Sequence, residues 1–174
     1  DAGKDGGFVE MFNGKDLTGW QTTGNWMIEE GNVLTLKPRE GESGWQRYDD
    51  YLWSEREYGD FILDLEYSYP KGGNSGVFFR TGDPRNCVQT GFEMQVNNPS
   101  DPGKHSVGAL YDALAPSKNA ATEGWNKAVI TAAGSLITID LNGERIIEAN
   151  LDDWSTPGQN PDGTKNKYKA ALKD

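Results

Sequence analysis

The sequence contains a single cysteine, Cys87, and a single histidine, His105. One cysteine cannot form an intrachain disulfide, and it excludes a metal site built from several cysteines. We expect Cys87 to be a small buried side chain. His105 lies in a loop rich in proline and glycine, where exposure is the simplest expectation, although it could reach a ligand from the rim of a site. We predict no cofactor and no metal.

The chain also has little positive charge. Its 17 basic and 27 acidic residues give a net charge of -10. Contacts to phosphate require concentrated lysine and arginine, so nucleic acid is not an expected partner. An anionic polysaccharide is disfavoured for the same reason. Neutral sugars are compatible with this composition, since the six tryptophans and seven tyrosines offer flat faces for core packing or for stacking on sugar rings.

Long apolar runs and helical periodicity are both missing. The mean hydropathy is -0.74, and no segment reaches the length of a membrane span. Many short strand-like runs instead alternate with turn signals. Residues 26–30 and 33–36 read as one hairpin, and Asn142-Gly143 marks another. A chain of 174 residues with this pattern predicts a single all-β domain, built as a sandwich or a barrel.

Three central runs carry polar side chains on one alternating face. Phe61–Tyr67 places Glu66 on its polar side, residues 76–80 place Phe78 and Arg80 on one side, and Phe92–Asn97 places Glu93 and Gln95 on one side. If the three runs are neighbours in a sheet, Glu66, Arg80, Glu93 and Gln95 converge on one exposed face. The competing interpretation is a solvated cross-strand pair of opposite charges.

Motifs spread along the whole chain resemble those of a known family. They are FNGKDLTGW at 12–20, YGDF at 58–61, GNSGVFFR at 73–80, GFEMQV at 91–96, GALYD at 108–112, GWN at 124–126 and LNG at 141–143. In this order they resemble the 3-keto-disaccharide hydrolase family, which is related to glycosyl hydrolases, and the resemblance covers nearly the whole chain.

The resemblance implies a concanavalin-A-like jelly-roll sandwich of two antiparallel sheets, with the sugar site on the concave sheet. It also implies an exported protein that is periplasmic, secreted or attached to the outer membrane, with a lipid anchor upstream of Asp1 as one form of attachment. The family continues into a strand with Gly-Leu-Gln-Asp-His-Gly and a closing Phe-Arg-Asn strand. This sequence ends at Asp174 before either, so we expect a single domain over 1–174 that lacks the closing strands.

The implied substrates are 3-keto-glucosides or 3-keto-disaccharides. A ketone at C3 acidifies the C2 proton, so a base can remove this proton and expel the C1 group before water adds back. Glu93 and Glu66 are the candidate bases, and Arg80 is a candidate for stabilising the enolate. The resemblance and the residue types together make these the substrate-binding candidates: Asn74, Phe78, Gln95, Asp112, Trp125 and Asn126.

Two alternatives to the enzyme remain open. The same fold serves non-catalytic carbohydrate-binding modules, and fold alone does not distinguish a lectin from a hydrolase. A structural domain that packs against a partner in an exported assembly is the third interpretation. The oligomeric state, the sugar and its linkage are not encoded in any motif.

Overall fold

The structure, a computed structural model, describes residues 7–42 and 50–173. The chain forms two compact units, Asp1–Glu57 and Tyr58–Asp174. The prediction of one domain without its closing strands stays a prediction.

The first unit contains two small antiparallel pairs. Strand β1 (Trp20–Gln21) pairs with β4 (Trp53–Ser54), and β2 (Trp26–Glu29) pairs with β3 (Val33–Leu36). The hairpin predicted at residues 26–36 is therefore confirmed. The indole Nε1 atoms of two tryptophans fix the loops by donating to main-chain carbonyls, Trp20 to Met11 at 2.9 Å and Trp26 to Asp50 at 2.7 Å.

The second unit contains a four-stranded antiparallel sheet made of β5 (Phe61–Tyr67), β8 (Asn126–Ala133), β9 (Leu136–Leu141) and β10 (Glu144–Asn150). The order of the strands in the sheet is β10-β9-β8-β5. Asn142 and Gly143, with φ of 52° and 83°, form the turn between β9 and β10. Positive φ at both central residues is what a type I′ hairpin turn requires, so the Asn-Gly hairpin prediction is confirmed.

A second antiparallel pair in this unit joins β6 (Asn74–Phe79) to β7 (Phe92–Asn97). The connection between them contains a short 3-10 helix, Pro84–Asn86, followed by the one-turn helix α1, Cys87–Thr90. Cys87 is 1% exposed, which confirms its prediction as a buried side chain. Another 3-10 helix, Leu151–Asp153, follows β10.

One apolar core connects the four-stranded sheet with the β6–β7 pair. The pair contributes Phe79, Phe92, Met94 and Val96, and the sheet contributes Ala128, Ile130, Ala132, Ile137, Ile139, Leu141, Ile147 and Ala149. Alternate residues of β5 pack against this core from the edge of the sheet, as the period of two predicts. The apolar sides of β5, β6 and β7 are therefore all used in packing, and their polar sides face away from the core.

The part of the chain that the structure describes is mostly β, with few and short helices and several antiparallel sheets. This confirms the all-β prediction at that level. None of the helices in residues 7–42 and 50–173 has both the length and the apolar character that a membrane crossing requires.

Candidate active site

The polar face of the β6–β7 pair brings several predicted residues together. In the register of the two strands, Phe78 lies opposite Glu93, Gly76 opposite Gln95, and Asn74 opposite Asn97. Residues that are directly opposite in an antiparallel pair share one face. The apolar partners on β7 belong to the core, so this face points the other way. The prediction that Glu93 and Gln95 share one side of β7 is confirmed, and Asn74 and Phe78 of β6 lie on the same face.

A third segment extends this face along the other edge of β7. The backbone of residues 108–111 pairs with it, since Tyr111 N donates to Glu93 O at 2.9 Å and Gly108 N donates to Gln95 O at 2.8 Å. Leu110 forms a bridge with Met94 and belongs to the core. Its neighbour Tyr111 therefore falls on the same face as Glu93.

Glu93 is a half-buried carboxyl at the centre of this face. Burial raises the pKa of Glu93 from 4.5 to about 7, and the positive charge of Lys167 acts in the opposite direction. A carboxyl loses solvation when it is buried, so its neutral form is favoured. A pKa near neutrality lets one group both accept and hold a proton at physiological pH, which is the property of a general base.

Lys167 supplies a positive charge that acts on Glu93. Its Nζ lies 4.9 Å from the centroid of the Tyr111 ring and 5.1 Å from that of the Tyr168 ring. The Nζ atom is buried, and no described residue offers it a hydrogen bond. Burial lowers the pKa of Lys167, while the charges of Glu93 and Asp112 raise it. An ammonium that contacts aromatic faces and makes no hydrogen bond within the described chain keeps its donors available for an oxygen of a ligand.

Sequence reasoning missed Lys167. The segment after residue 152 has no apolar period, and its lysines alternate with polar residues as in a solvated loop. The signal that could have found it is the adjacent Tyr168. This ring is 5% exposed, belongs to the core and packs 5.8 Å from the ring of Phe92. A buried aromatic residue in a polar segment indicates that the segment is anchored, and here it is anchored to β7.

Asp112 binds two basic side chains at the edge of this face. Its Oδ1 accepts hydrogen bonds from His105 Nε2 at 2.8 Å and from Lys104 Nζ at 2.9 Å. Burial acts to raise the pKa of Asp112, but these hydrogen bonds and charges outweigh it and the pKa is lowered. The His105 ring also lies 4.8 Å from the ring of Tyr111. Asp112 was predicted to bind substrate. In the structure its carboxylate binds Lys104 and His105.

Three amide side chains form the other end of the face. Gln95 Nε2 donates to Asn74 Oδ1 at 2.9 Å, and Asn97 Nδ2 donates to His105 O at 3.1 Å. Gln95 is only 5% exposed, so the expectation that it faces solvent is wrong, while Asn74 on the adjacent strand is exposed. The buried amide of Gln95 therefore orients the exposed amide of Asn74.

The expectation that Glu66 joins Glu93 is wrong. Strand β5 pairs with β8 rather than with β6, and Glu66 lies opposite Lys127. Its neighbours Leu65 and Tyr67 pack on the core, so Glu66 points out of the four-stranded sheet, whereas Glu93 points out of the β6–β7 pair. The two carboxylates occupy opposite sides of the shared core. The alternation was correctly predicted, but the strand pairing was not.

The structure also places Arg80 away from Glu93. Arg80 follows the end of β6 with φ of 48°, and this left-handed conformation breaks the alternation. Its guanidinium binds Asp60 Oδ1 at 2.9 Å and Gly134 O at 2.5 Å. Arg80 therefore ties the end of β6 to the start of β5 and to the turn between β8 and β9.

Asn126 and Trp125 have different environments, although they are adjacent in sequence. Asn126 is 1% exposed, and its amide is fully used by the protein. Its partners are the main chain of Thr122, the carbonyl of Gly124 and the Asn142 amide. The predicted contact of Asn126 with substrate is therefore wrong, because its polar atoms are paired and buried. Trp125 is 56% exposed, so its ring remains free to stack, and no contact connects it with Glu93.

The site therefore consists of a carboxyl with a pKa near 7, an ammonium between two tyrosine rings, and a histidine oriented by a carboxylate. A base beside a cation can remove a proton next to a carbonyl group and stabilise the resulting enolate. Within residues 7–42 and 50–173, no three His, Cys, Asp or Glu side chains come together as a metal site.

Comparison with known proteins identifies the family. A family model described as the 3-keto-alpha-glucoside-1,2-lyase-like domain matches residues 7–173. A Bacteroides thetaiotaomicron protein named 3-keto-disaccharide hydrolase is 26% identical in an alignment 196 residues long. The alignment covers 95% of this chain and 67% of that protein.

Two crystal structures from Parabacteroides distasonis, both provisionally named glycosyl hydrolases, resemble the fold. One has 26% identity and a TM-score of 0.65 over 71% of this chain and 68% of its own. The other has 21% identity and a TM-score of 0.66 over 80% of this chain and 71% of its own. At this identity the similarity is evidence for the fold alone. Because the family model extends over almost the entire sequence, this chain belongs to the 3-keto-alpha-glucoside-1,2-lyase-like domain family.

Proposed function

We propose that this protein cleaves 3-keto-glucosides or 3-keto-disaccharides by elimination across C1 and C2 followed by addition of water. The observation that carries the proposal is the half-buried Glu93 carboxyl, with its pKa raised to about 7, beside the buried Lys167 ammonium. Family membership supplies the substrate class. The geometry supports the type of reaction, because the Lys167 ammonium lies against the Tyr111 ring, which shares the face of Glu93.

In the proposed reaction, Glu93 takes the proton from C2, and the electron pair moves onto the C3 oxygen as an enolate. The charge of Lys167 stabilises this oxygen in a site where burial reduces screening. The enolate then re-forms the ketone and breaks the bond between C1 and the departing oxygen. His105 donates a proton to that oxygen, in an orientation set by Asp112. Water then adds to C1 and gives a proton back to His105, Glu93 returns its proton to C2, and the 3-keto sugar is released.

The remaining residues of the face serve recognition in this proposal. Asn74 hydrogen-bonds a sugar hydroxyl, since its Oδ1 is fixed by Gln95 and its amide nitrogen stays available. Phe78, opposite Glu93, provides an apolar surface for one side of the ring. We further propose that the second unit is part of a concanavalin-A-like jelly roll, and that the protein is exported.

Release of an aglycone from a 3-keto-glucoside tests the proposal. The wild-type protein should release it, and Glu93→Gln should lower kcat by about 10²- to 10⁴-fold, the usual contribution of a general base. Glu66→Gln is the matched control, because it removes a carboxylate from the opposite side of the core and should leave the rate unchanged. Binding of the sugar without release by the wild type would favour a carbohydrate-binding module. Equal rates for wild type and Glu93→Gln would exclude Glu93 as the base.

A further inference from the structure

Glu93 does not extend toward its cross-strand partner. Phe78 lies directly opposite Glu93 in the register, but the Glu93 side chain crosses the neighbouring position, Gly76. A β-carbon at residue 76 would lie 2.1 Å from Glu93 Oε1, 2.7 Å from its Cγ and 2.8 Å from its Cδ. Any side chain at this position would therefore overlap with almost the whole carboxyethyl group.

The backbone does not explain the glycine. Gly76 is absent from the positive-φ glycines of the described chain, so its conformation is one that alanine adopts. A glycine inside a strand costs conformational entropy on folding and contributes no packing. Alanine at this position would therefore be expected to stabilise β6 if the space above it were empty. That space holds the Glu93 carboxyl.

We propose that Gly76 is a positioning residue, whose missing side chain creates the space in which the Glu93 carboxyl is held against the strand. This inference rests on the proposed role of Glu93 as the base. The carboxyl lies flat on the backbone of β6, and this position removes it from water. Gly76 thereby fixes both where the base is and how strongly it holds its proton.

The strand cannot move away to accommodate a methyl group. Gly76 lies opposite Gln95, which is 5% exposed and whose side chain binds Asn74. The core side of β6 is occupied as well, since Phe79 is 6% exposed and Val77 packs on the core cluster. A methyl group at residue 76 therefore displaces the Glu93 side chain toward solvent rather than the backbone.

The first test compares Gly76→Ala with Gly82→Ala. Gly82 is a matched control, because an added β-carbon there would meet its nearest atom at 3.7 Å and no positive φ is involved. Gly76→Ala should lower kcat for the 3-keto-glucoside by about 10²-fold, the cost of a base displaced by about 1 Å. The rise of kcat/KM with pH should also move to lower pH, because the displaced carboxyl regains water. Gly82→Ala should change neither.

A second test requires no catalytic activity. The pKa of Glu93, followed by NMR of its ¹³C-labelled carboxyl, should be lower in Gly76→Ala than in the wild type. At low pH, where the Glu93 carboxyl is protonated, overlap with it should make Gly76→Ala less stable than the wild type. This destabilisation should disappear in a Glu93→Ala background, since the atoms that overlap are then gone. If Gly76→Ala is too unstable alone, the Gly76→Ala/Glu93→Ala double variant should still fold like Glu93→Ala.

These outcomes separate the inference from the proposed function. An unchanged Glu93 pKa in Gly76→Ala, or a destabilisation that persists without the Glu93 side chain, would overturn the role of Gly76. If Gly76→Ala lowers the pKa of Glu93 as predicted but the wild-type protein releases no aglycone, the proposed reaction is refuted and the positioning of Glu93 by Gly76 stands.

Discussion

The buried carboxyl of Glu93 makes a prediction about stability that does not depend on any substrate. The substitution Glu93→Gln keeps the shape of the side chain and removes its titration. In the wild type, burial raises the pKa of Glu93 to about 7 from its ordinary value of 4.5. Because the folded protein prefers the protonated carboxyl, Glu93 contributes full stability below about pH 4.5 and loses it as the pH rises through about 7.

The size of the effect follows from the two pKa values. One pKa unit corresponds to about 1.4 kcal/mol, so the change from 4.5 to about 7 corresponds to at most about 3 kcal/mol. Glu93→Gln should therefore match the wild type in unfolding free energy near pH 4.5. Above pH 8, where the ionised Glu93 is costly in the wild type, the variant should be the more stable protein by up to this amount.

Urea denaturation followed by tryptophan fluorescence between pH 4.5 and 9 measures this difference. Glu66→Gln removes one negative charge on the opposite side of the core, and it corrects for the general effect of net charge. A difference between Glu93→Gln and wild type that is constant over the pH range would refute the reasoning. It would mean that the Glu93 carboxyl is solvated and that the site lacks a base matched to neutral pH.

Three further predictions concern other residues. Lys167→Met removes a charge that lowers the pKa of Glu93, so the rise of kcat/KM with pH should move above pH 7 and kcat should fall; an unchanged profile would separate Lys167 from the site. Asn126→Ala leaves several buried main-chain groups unpaired and should cost about 2–4 kcal/mol in denaturant unfolding; a loss under 1 kcal/mol would contradict the assigned network. Arg80→Ala breaks the contact with Asp60 and should cost about 1 kcal/mol while kcat is retained; a loss of kcat without loss of stability would return Arg80 to the site.

Local pattern determined what could be predicted from the sequence. The period of two located β5 and β7 and divided their residues into core and polar sides, because each strand has an apolar core on one side only. The Asn-Gly turn between β9 and β10 was likewise local. For Glu93, this information was sufficient to place it on the face of Gln95 and Phe78.

Strand pairing determined what could not be predicted. Adjacent runs in sequence were expected to be adjacent in the sheet, but β5 pairs with β8 across more than a third of the chain. Glu66 therefore lies on the other side of the core. Arg80 was assigned to the wrong place because its own φ is positive, and the alternation of side chains along a strand does not reveal this. Lys167 reaches the site through a loop without regular structure, and only its neighbour Tyr168 carries an apolar signal.

Exchange of the C2 proton is the most direct test of Glu93 as the base. The protein is incubated in D₂O with a 3-keto sugar that lacks a leaving group at C1, and loss of the C2 proton signal is followed by ¹H NMR. The account predicts rapid exchange with the wild type and with Glu66→Gln, and exchange at least about 10²-fold slower with Glu93→Gln. Exchange at the same rate in wild type and Glu93→Gln would contradict it.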